Sequence, residues 1–250
     1  IPLWVRNRAP ETFCLLTTRI AVEETSRDGS TTKIIVELQD GHRVEAVIIR
    51  HLKGRRAEGK KGLGATLCIS SQVGCKMGCT FCATGTMGEL GNLTTGEIVE
   101  QVAHAKRIEP RVRNIVFMGM GEPLMNYNNV LSAIKKLTSM EGLKMSPKRI
   151  TLSTSGIPKI IKKMADGNVK FKLAVSLHSA IQSIREKIMP FSKKFPLEDL
   201  IDSLKYWYRI TKKKILYEYI IFDGINDDIE HVKALVKICK ILPCKVNFIE

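Results

Sequence analysis

The chain has 250 residues, 44% of them hydrophobic and 26% charged, and no apolar run approaching the roughly 20 residues that span a bilayer, which excludes a helical membrane protein and suits one globular core. Forty Lys and Arg against 25 Asp and Glu give a net charge of +15, pointing to a polyanionic partner and, without a basic helix bearing a broad apolar face, away from a membrane surface. The seven cysteines are an odd count and "IPLWVRNRAP" lacks the apolar core of a signal peptide, which argues against a secreted disulfide framework, and a reducing compartment is expected, the cytoplasm or alternatively a chloroplast or mitochondrion.

Residues 11–50 alternate in the manner of strands, with "FCLLTTRIAVEE", "TTKIIVEL" and "HRVEAVII" separated by the turn sequences "SRDGS" and "QDG". They predict a three-stranded meander within an N-terminal extension, residues 1–52. "KGRRAEGKKGLG" at 53–64 has no periodicity and reads as a basic, Gly-rich linker. Residues 65–250 then form the main domain, in which short apolar runs alternate with amphipathic ones. Strands are expected at "ATLCIS", "NIVFMG", "KRITLS", "FKLAVSLH", "ILYEYIIF" and "CKVNFIE". Helices are expected at Thr94 to Lys106, "NNVLSAIKKLTS", "PKIIKKMA", "LEDLIDSLKYWYRI" and "DIEHVKALVKICKIL". About six β/α units imply an α/β fold with a parallel sheet, closed or partly closed in the manner of a TIM barrel, and a site at the carboxyl ends of its strands.

Four of the seven cysteines fall in the fifteen residues "CISSQVGCKMGCTFC". Cys75, Cys79 and Cys82 form C-x3-C-x2-C after the first strand of the main domain, with Gly74 and Gly78 loosening the loop. Three thiolates can hold three irons of a [4Fe-4S] cluster and leave the fourth open to the amino and carboxylate groups of S-adenosylmethionine (SAM). The alternative recruits Cys68 as a fourth ligand and makes a tetrahedral zinc site. Only one close C-x2-C pair is present, and Cys68 lies in the strand, so the context favours the cluster. "GMGEP" places Gly121 and Glu122 at the next strand end, where the carboxylate suits an ammonium group. "LSTSG" and "AVSLH" bring Ser153, Ser155, Ser176 and His178 to the following two ends, and Asn247 alternates with apolar neighbours on the last strand. Taken alone, His178 reads as a packing residue.

"ATLCISSQVGCKMGCTFCATGTMGELGNLT", together with "FMGMGEPLMNYNNV", "RITLSTSG", "VSLH", "EYIIFDGIND" and "PCKVNFI", resembles the radical-SAM RNA adenine methyltransferases of the RlmN and Cfr type, from "HRVEAVIIR" to Asn247. The resemblance implies a partial (β/α)6 TIM-like barrel whose cluster is held by Cys75, Cys79 and Cys82. It implies SAM contacts from Gly121, Glu122, Ser153, Ser176, Leu177, His178 and Asn247. Glu45 matches the carboxylate that takes a proton from the adenine adduct, and Cys68 the thiol that resolves a covalent protein–RNA thioether. The implied partners are ribosomal or transfer RNA and an electron-donor protein, and the implied state is a monomer. The family also has a methyl-carrying cysteine near its C-terminus and a helical N-terminal domain; neither is found in these 250 residues, and Cys239 and Cys244 read as core thiols, so a chain truncated at both ends is expected. An RNA-binding homologue without catalysis and a zinc-stabilised RNA-binding module are the alternatives.

Overall fold

The computed structural model describes residues 2–4, 16–51 and 64–250. The linker expected at 53–64 therefore lies outside the described residues except for Gly64, as do the first residues of the expected meander.

Strands β1 (Arg19–Thr25), β2 (Thr31–Glu37) and β3 (Arg43–Arg50) form the antiparallel meander. On β2 and β3 alternate residues are buried, Thr32, Ile34 and Val36 and then Val44, Ala46 and Ile48, because a period of two puts them all on one face. β3 continues antiparallel onto β4 (Ala65–Cys68), the first strand of the main domain. Next come a small antiparallel hairpin, β5 (Gln72–Gly74) and β6 (Glu89–Asn92), and between its strands the short helix α1 (Ala83–Thr86).

From there strands and helices alternate as expected. Helix α2 (Thr95–Ile108) precedes β7 (Val112–Phe117), α3 (Tyr127–Thr138) precedes β8 (Ile150–Thr154), and α4 (Pro158–Asp166) precedes β9 (Lys172–Ser176). Helices α5 (Gln182–Ile188) and α6 (Leu197–Thr211) lead to β10 (Ile215–Ile220), and α7 (Ile229–Ile241) to β11 (Cys244–Ile249). A capping box between Thr94 and Glu97 starts α2, and the Asp228 side chain caps α7 by accepting from the backbone N–H groups of Glu230 and His231. Leu200, Leu204 and Trp207, spaced at helical intervals, bury one face of α6. The β5–β6 hairpin, α1 and α5 are absent from the sequence-based expectation.

All strands except β5 and β6 join one nine-stranded sheet in the order β1-β2-β3-β4-β7-β8-β9-β10-β11, parallel from β4 onward. β1 and β11 are its edges, so the sheet is a partial barrel. Packed helices and sheet bury Ile98, Val102, Val130, Ile134, Leu204 and Trp207 against Leu67, Ile115, Leu152 and Leu173. The other face of the parallel strands carries Cys68, Val116, Thr151, Ser153, Ala174, Ser176, Leu216, Glu218, Lys245 and Asn247 in register. Among the described residues no helix is long and apolar enough to cross a membrane.

One buried carboxylate ties the meander to the parallel sheet. Glu109, in the turn before β7, accepts from Arg50 Nε at the end of β3 at 3.0 Å and from Arg111 Nε at 2.7 Å. Arg111 first and then Arg50 outweigh its burial and hold the carboxyl down at about 2. Because the folded value lies below the unfolded one, its stabilisation is complete above the ordinary glutamate range and is lost as pH falls toward 2. Glu109→Gln is expected to cost on the order of 2 kcal/mol in urea unfolding at pH 7 and to flatten the acid limb of the stability profile. An unchanged profile would mean that the ion pair does not hold the meander in place.

Candidate functional site

The cysteine loop and the carboxyl ends of β7 to β10 enclose a cavity of about 250 Å³. The three clustered cysteines, Cys75, Cys79 and Cys82, line it together. So do Gly121, Glu122, Ser153, Ser155, Ser176 and His178. Loops separated by more than a hundred residues thus meet at one point, as a parallel sheet requires.

The loop is held by its backbone. Cys75 N–H donates to Gly88 O at 2.7 Å, Cys82 N–H to Cys79 O at 3.1 Å, and Thr80 N–H to Ile188 O at the end of α5 at 3.0 Å. Gly74 has φ +73°, and a Cβ there would stand 1.9 Å from Gly88 O, so only glycine lets the two strands of the hairpin approach. Burial pushes the Cys75 thiol up to about 11 and that of Cys79 up to about 12, and neighbouring thiols and Glu122 add to both shifts. Among the described residues, no three or more His, Cys, Asp or Glu are placed to hold a metal ion. A cubane cluster does not ask for that convergence, since each thiolate binds a different iron. Three thiols around one cavity, with no fourth cysteine on its wall among the described residues, fit such a cluster with one open iron.

Glu122 is fully buried, and burial raises its pKa against the pull of its hydrogen bonds. Its Oε2 accepts from Ser155 N–H at 2.7 Å and Ser155 Oγ at 2.8 Å, and Oε1 from Leu124 N–H at 3.0 Å. The Thr154 side chain also hydrogen-bonds this carboxylate, so it is held from three neighbouring residues. Gly121, at φ +96°, lets the chain pass close over Gln72, where a Cβ would stand 2.5 Å from the Gln72 Cβ. Gln72 Oε1 in turn accepts from Glu122 N–H at 2.8 Å.

His178 is also in the left-handed region, with φ 51°, and its Nδ1 accepts from Ile220 N–H at 3.1 Å. That bond fixes the tautomer with the proton on Nε2. Burial, helped by the Arg185 charge, lowers its pKa to about 4, so the ring is neutral at physiological pH. The Phe81 ring stands edge-on to it at 5.0 Å.

Sequence reasoning missed two charged residues of this site. Glu218 is buried in the middle of β10, lines the cavity and accepts from Asn247 Nδ2 at 2.7 Å. The signal was an acid inside the apolar run "ILYEYI". Arg185, 1% exposed on α5, donates to Ser155 O at 2.6 Å and to Ser176 O and Leu177 O at 3.2 Å each. Among the described residues it has no carboxylate partner, and the Cys79 thiol is the acidic group that acts on it.

Four expected residues stand off the cavity wall. The Leu177 side chain lies in the hydrophobic core, leaving only its backbone near the site. Asn247 is exposed on the edge strand and reaches the site through Glu218. Cys68 lies opposite Val47 of β3 in the sheet, and Glu45, two residues from Val47 on the same face, is close enough for its charge to act on the Cys68 thiol. Burial pushes that thiol up to about 11. Cys239 and Cys244 pack against the core, as expected, with Cys244 at the amino end of β11, the far end of the strands from the cavity.

Replacing Arg185 by Met should strand three strand-end carbonyls at roughly 1 kcal/mol or more each, offset in part by removing a buried charge. A loss of about 2–3 kcal/mol is expected in urea unfolding, with Arg185→Lys in between. Equal stability of all three proteins would show that water satisfies those carbonyls.

Residues 69–236 match the family model for the radical SAM superfamily. A probable dual-specificity RNA methyltransferase RlmN from Flavobacterium johnsoniae is 55% identical over 251 residues, which cover 98% of this chain and 68% of that protein. The dual-specificity RNA methyltransferase RlmN of Nautilia profundicola is 39% identical, over 100% of this chain and 72% of its own. The crystal structure of a radical SAM methyltransferase from Sphaerobacter thermophilus superposes with a TM-score of 0.91 at 34% identity, covering 99% of this chain and 71% of that one. With this identity across nearly its whole length and the three thiols gathered at its strand ends, the chain belongs to the RlmN-type radical-SAM methyltransferases.

Proposed function

We propose that the chain is the catalytic core of a methyltransferase acting on an adenine ring carbon, C2, of ribosomal or transfer RNA. The observation that carries this reading is the convergence of Cys75, Cys79 and Cys82 with Glu122 and His178 on one cavity. The RNA substrate rests on the similarity to proteins named as dual-specificity RNA methyltransferases and on the +15 charge.

Cys75, Cys79 and Cys82 would hold a [4Fe-4S] cluster, which with SAM supplies one-electron chemistry at the sulfonium C–S bond. The Glu122 carboxylate would take the ammonium of SAM, held in place by its bonds from Ser155, Leu124 and Thr154. His178 offers a fixed Nε2–H donor, and the hydroxyls of Ser153 and Ser176 stand at neighbouring strand ends for polar groups of the ligand. Asn247 holds Glu218 in place at the cavity wall. Glu45 would accept the adduct proton, and the nearby Cys68 would resolve the thioether by forming a disulfide with the sulfur of the family's methyl-carrying cysteine as the thioether C–S bond breaks. Cys239 and Cys244 are poor candidates for the methyl carrier, being packed against the core. The zinc reading is disfavoured because Cys68 is not on the wall that the other three thiols share.

Anaerobic reconstitution should load iron and sulfide in near-equal amounts. Replacing Cys79 by Ala should remove most of both, and zinc bound in their place would overturn the cluster. Reduced, loaded protein given SAM and RNA should release 5'-deoxyadenosine without forming methyladenosine, as read by chromatography and by mass spectrometry of digested RNA. Methyladenosine made by these 250 residues alone would show that one of the quoted cysteines carries the methyl.

A further inference from the structure

The largest of the cavities described here lies away from the cysteines. It has a volume of about 720 Å³ and sits at the amino ends of β8 to β11. Lys148, Lys170, Lys172, Lys213, Lys214 and Lys245 line it, and among the described residues no Asp or Glu does. Its floor is apolar, made by Pro147, Phe171, Leu173, Ile215 and Leu216.

These lysines come from segments before or within four different strands and are brought together by the parallel register. Lys172 lies opposite Thr151, and Lys245 opposite Leu216, on the face that carries Ser176, Glu218 and Asn247 further along. The two cavities share no residue. Ser176 lies four residue steps along β9 from Lys172, about 13 Å at the rise of a strand.

Among the described residues none of the six ammonium groups pairs with a carboxylate. Lys213 is half-buried and donates to the backbone carbonyls of Val169 and Phe171 instead. Burial, and after it the charge of Lys170, lowers its pKa. A solvated basic surface spreads its charges over convex ground, where water separates them. Here they face one concavity, where a polyanion can meet several of them at once.

We propose that this amino-terminal mouth of the half-barrel binds the phosphate backbone of an RNA strand, with ammonium groups on the phosphates and the apolar floor beneath the sugar and base. The mouth spans four strands, about 14 Å at the spacing of neighbouring strands, which is wider than the phosphate chain of a single nucleotide. That width selects a strand with several phosphates over a free nucleotide. The inference rests on the reading of RNA as substrate and adds a second contact on the far side of the barrel from the chemistry.

The test is fluorescence anisotropy of a labelled single-stranded RNA against salt. Replacing Lys172 and Lys245 by Ser should weaken binding about tenfold and reduce the salt slope by roughly 1.4, the loss of two phosphate contacts on a single strand. Lys172→Arg with Lys245→Arg should keep both. Lys162→Ser with Lys233→Ser, exposed helix lysines outside both cavities, removes the same charge and should change binding far less. Equal losses in the two serine pairs would overturn the site while leaving RNA as the partner. Free AMP or ATP competing as tightly as the strand would overturn the choice of occupant. No binding of RNA by the unaltered chain at about 50 mM salt would overturn the RNA reading and this site with it.

Discussion

A parallel strand that ends inside a folded domain leaves backbone N–H and C=O groups without ladder partners, and each left dry and unpaired costs about as much as a lost hydrogen bond. This structure meets that constraint with side chains. Gln101 accepts from Ser70 N–H and donates to Ser70 O past β4; Glu122 accepts from Ser155 N–H past β8. Arg185 serves three carbonyls at the ends of β8 and β9, and His178 and Asn226 serve Ile220 at the end of β10. Two of the groups proposed to bind SAM, Glu122 and His178, are thus among those that finish the sheet. Their positions are fixed before any ligand arrives, which is what preorganisation means physically.

This double duty shapes the electrostatics. Glu122, His178 and Arg185 are all buried, and each is shifted toward its neutral form mainly by burial. Lining the cavity are acids and thiols, while Arg185 lies beneath the strand ends as a cation without a carboxylate. At the other end of the same strands the lining is lysine. The separation follows from register, since residues two apart on one strand share a face and residues four apart sit at opposite ends of the same short barrel.

The β/α alternation was legible because apolar periodicity is local, and the parallel strands and the helices flanking most of them stand within a few residues of their expected places. C-x3-C-x2-C and "GMGEP" were legible because spacing and glycine placement are local too. The hairpin of β5 and β6 was not, because β5 has three residues and β6 four, too short for a pattern. Arg185 was not, because nothing near it in the sequence says that its partners are carbonyls of residues 155, 176 and 177. Glu218 offered a signal, an acid amid strand residues, that gains meaning only once Asn247 and the cavity are beside it. His178 alone read as a packing residue, and part of that reading stands, since its ring caps Ile220 and packs on Phe81.

The meander shows why a unit that looks separable in sequence need not be separable in function. β3 pairs with β4 from Val47↔Cys68 to Arg50↔Ala65, so its alternation is locked to that of the parallel sheet. The lock turns Glu45 to the face that bears Cys68, and Ser70 Oγ donates to Glu45 O at 2.6 Å, closing the junction just beyond the strand. A slip of one residue in this pairing would turn Glu45 toward the helices and Val44 toward the inner face. Register in the meander therefore sets which side of the sheet receives a carboxylate. The Glu109 clamp on Arg50 matters beyond stability, because it fixes the one end of β3 from which that register is counted.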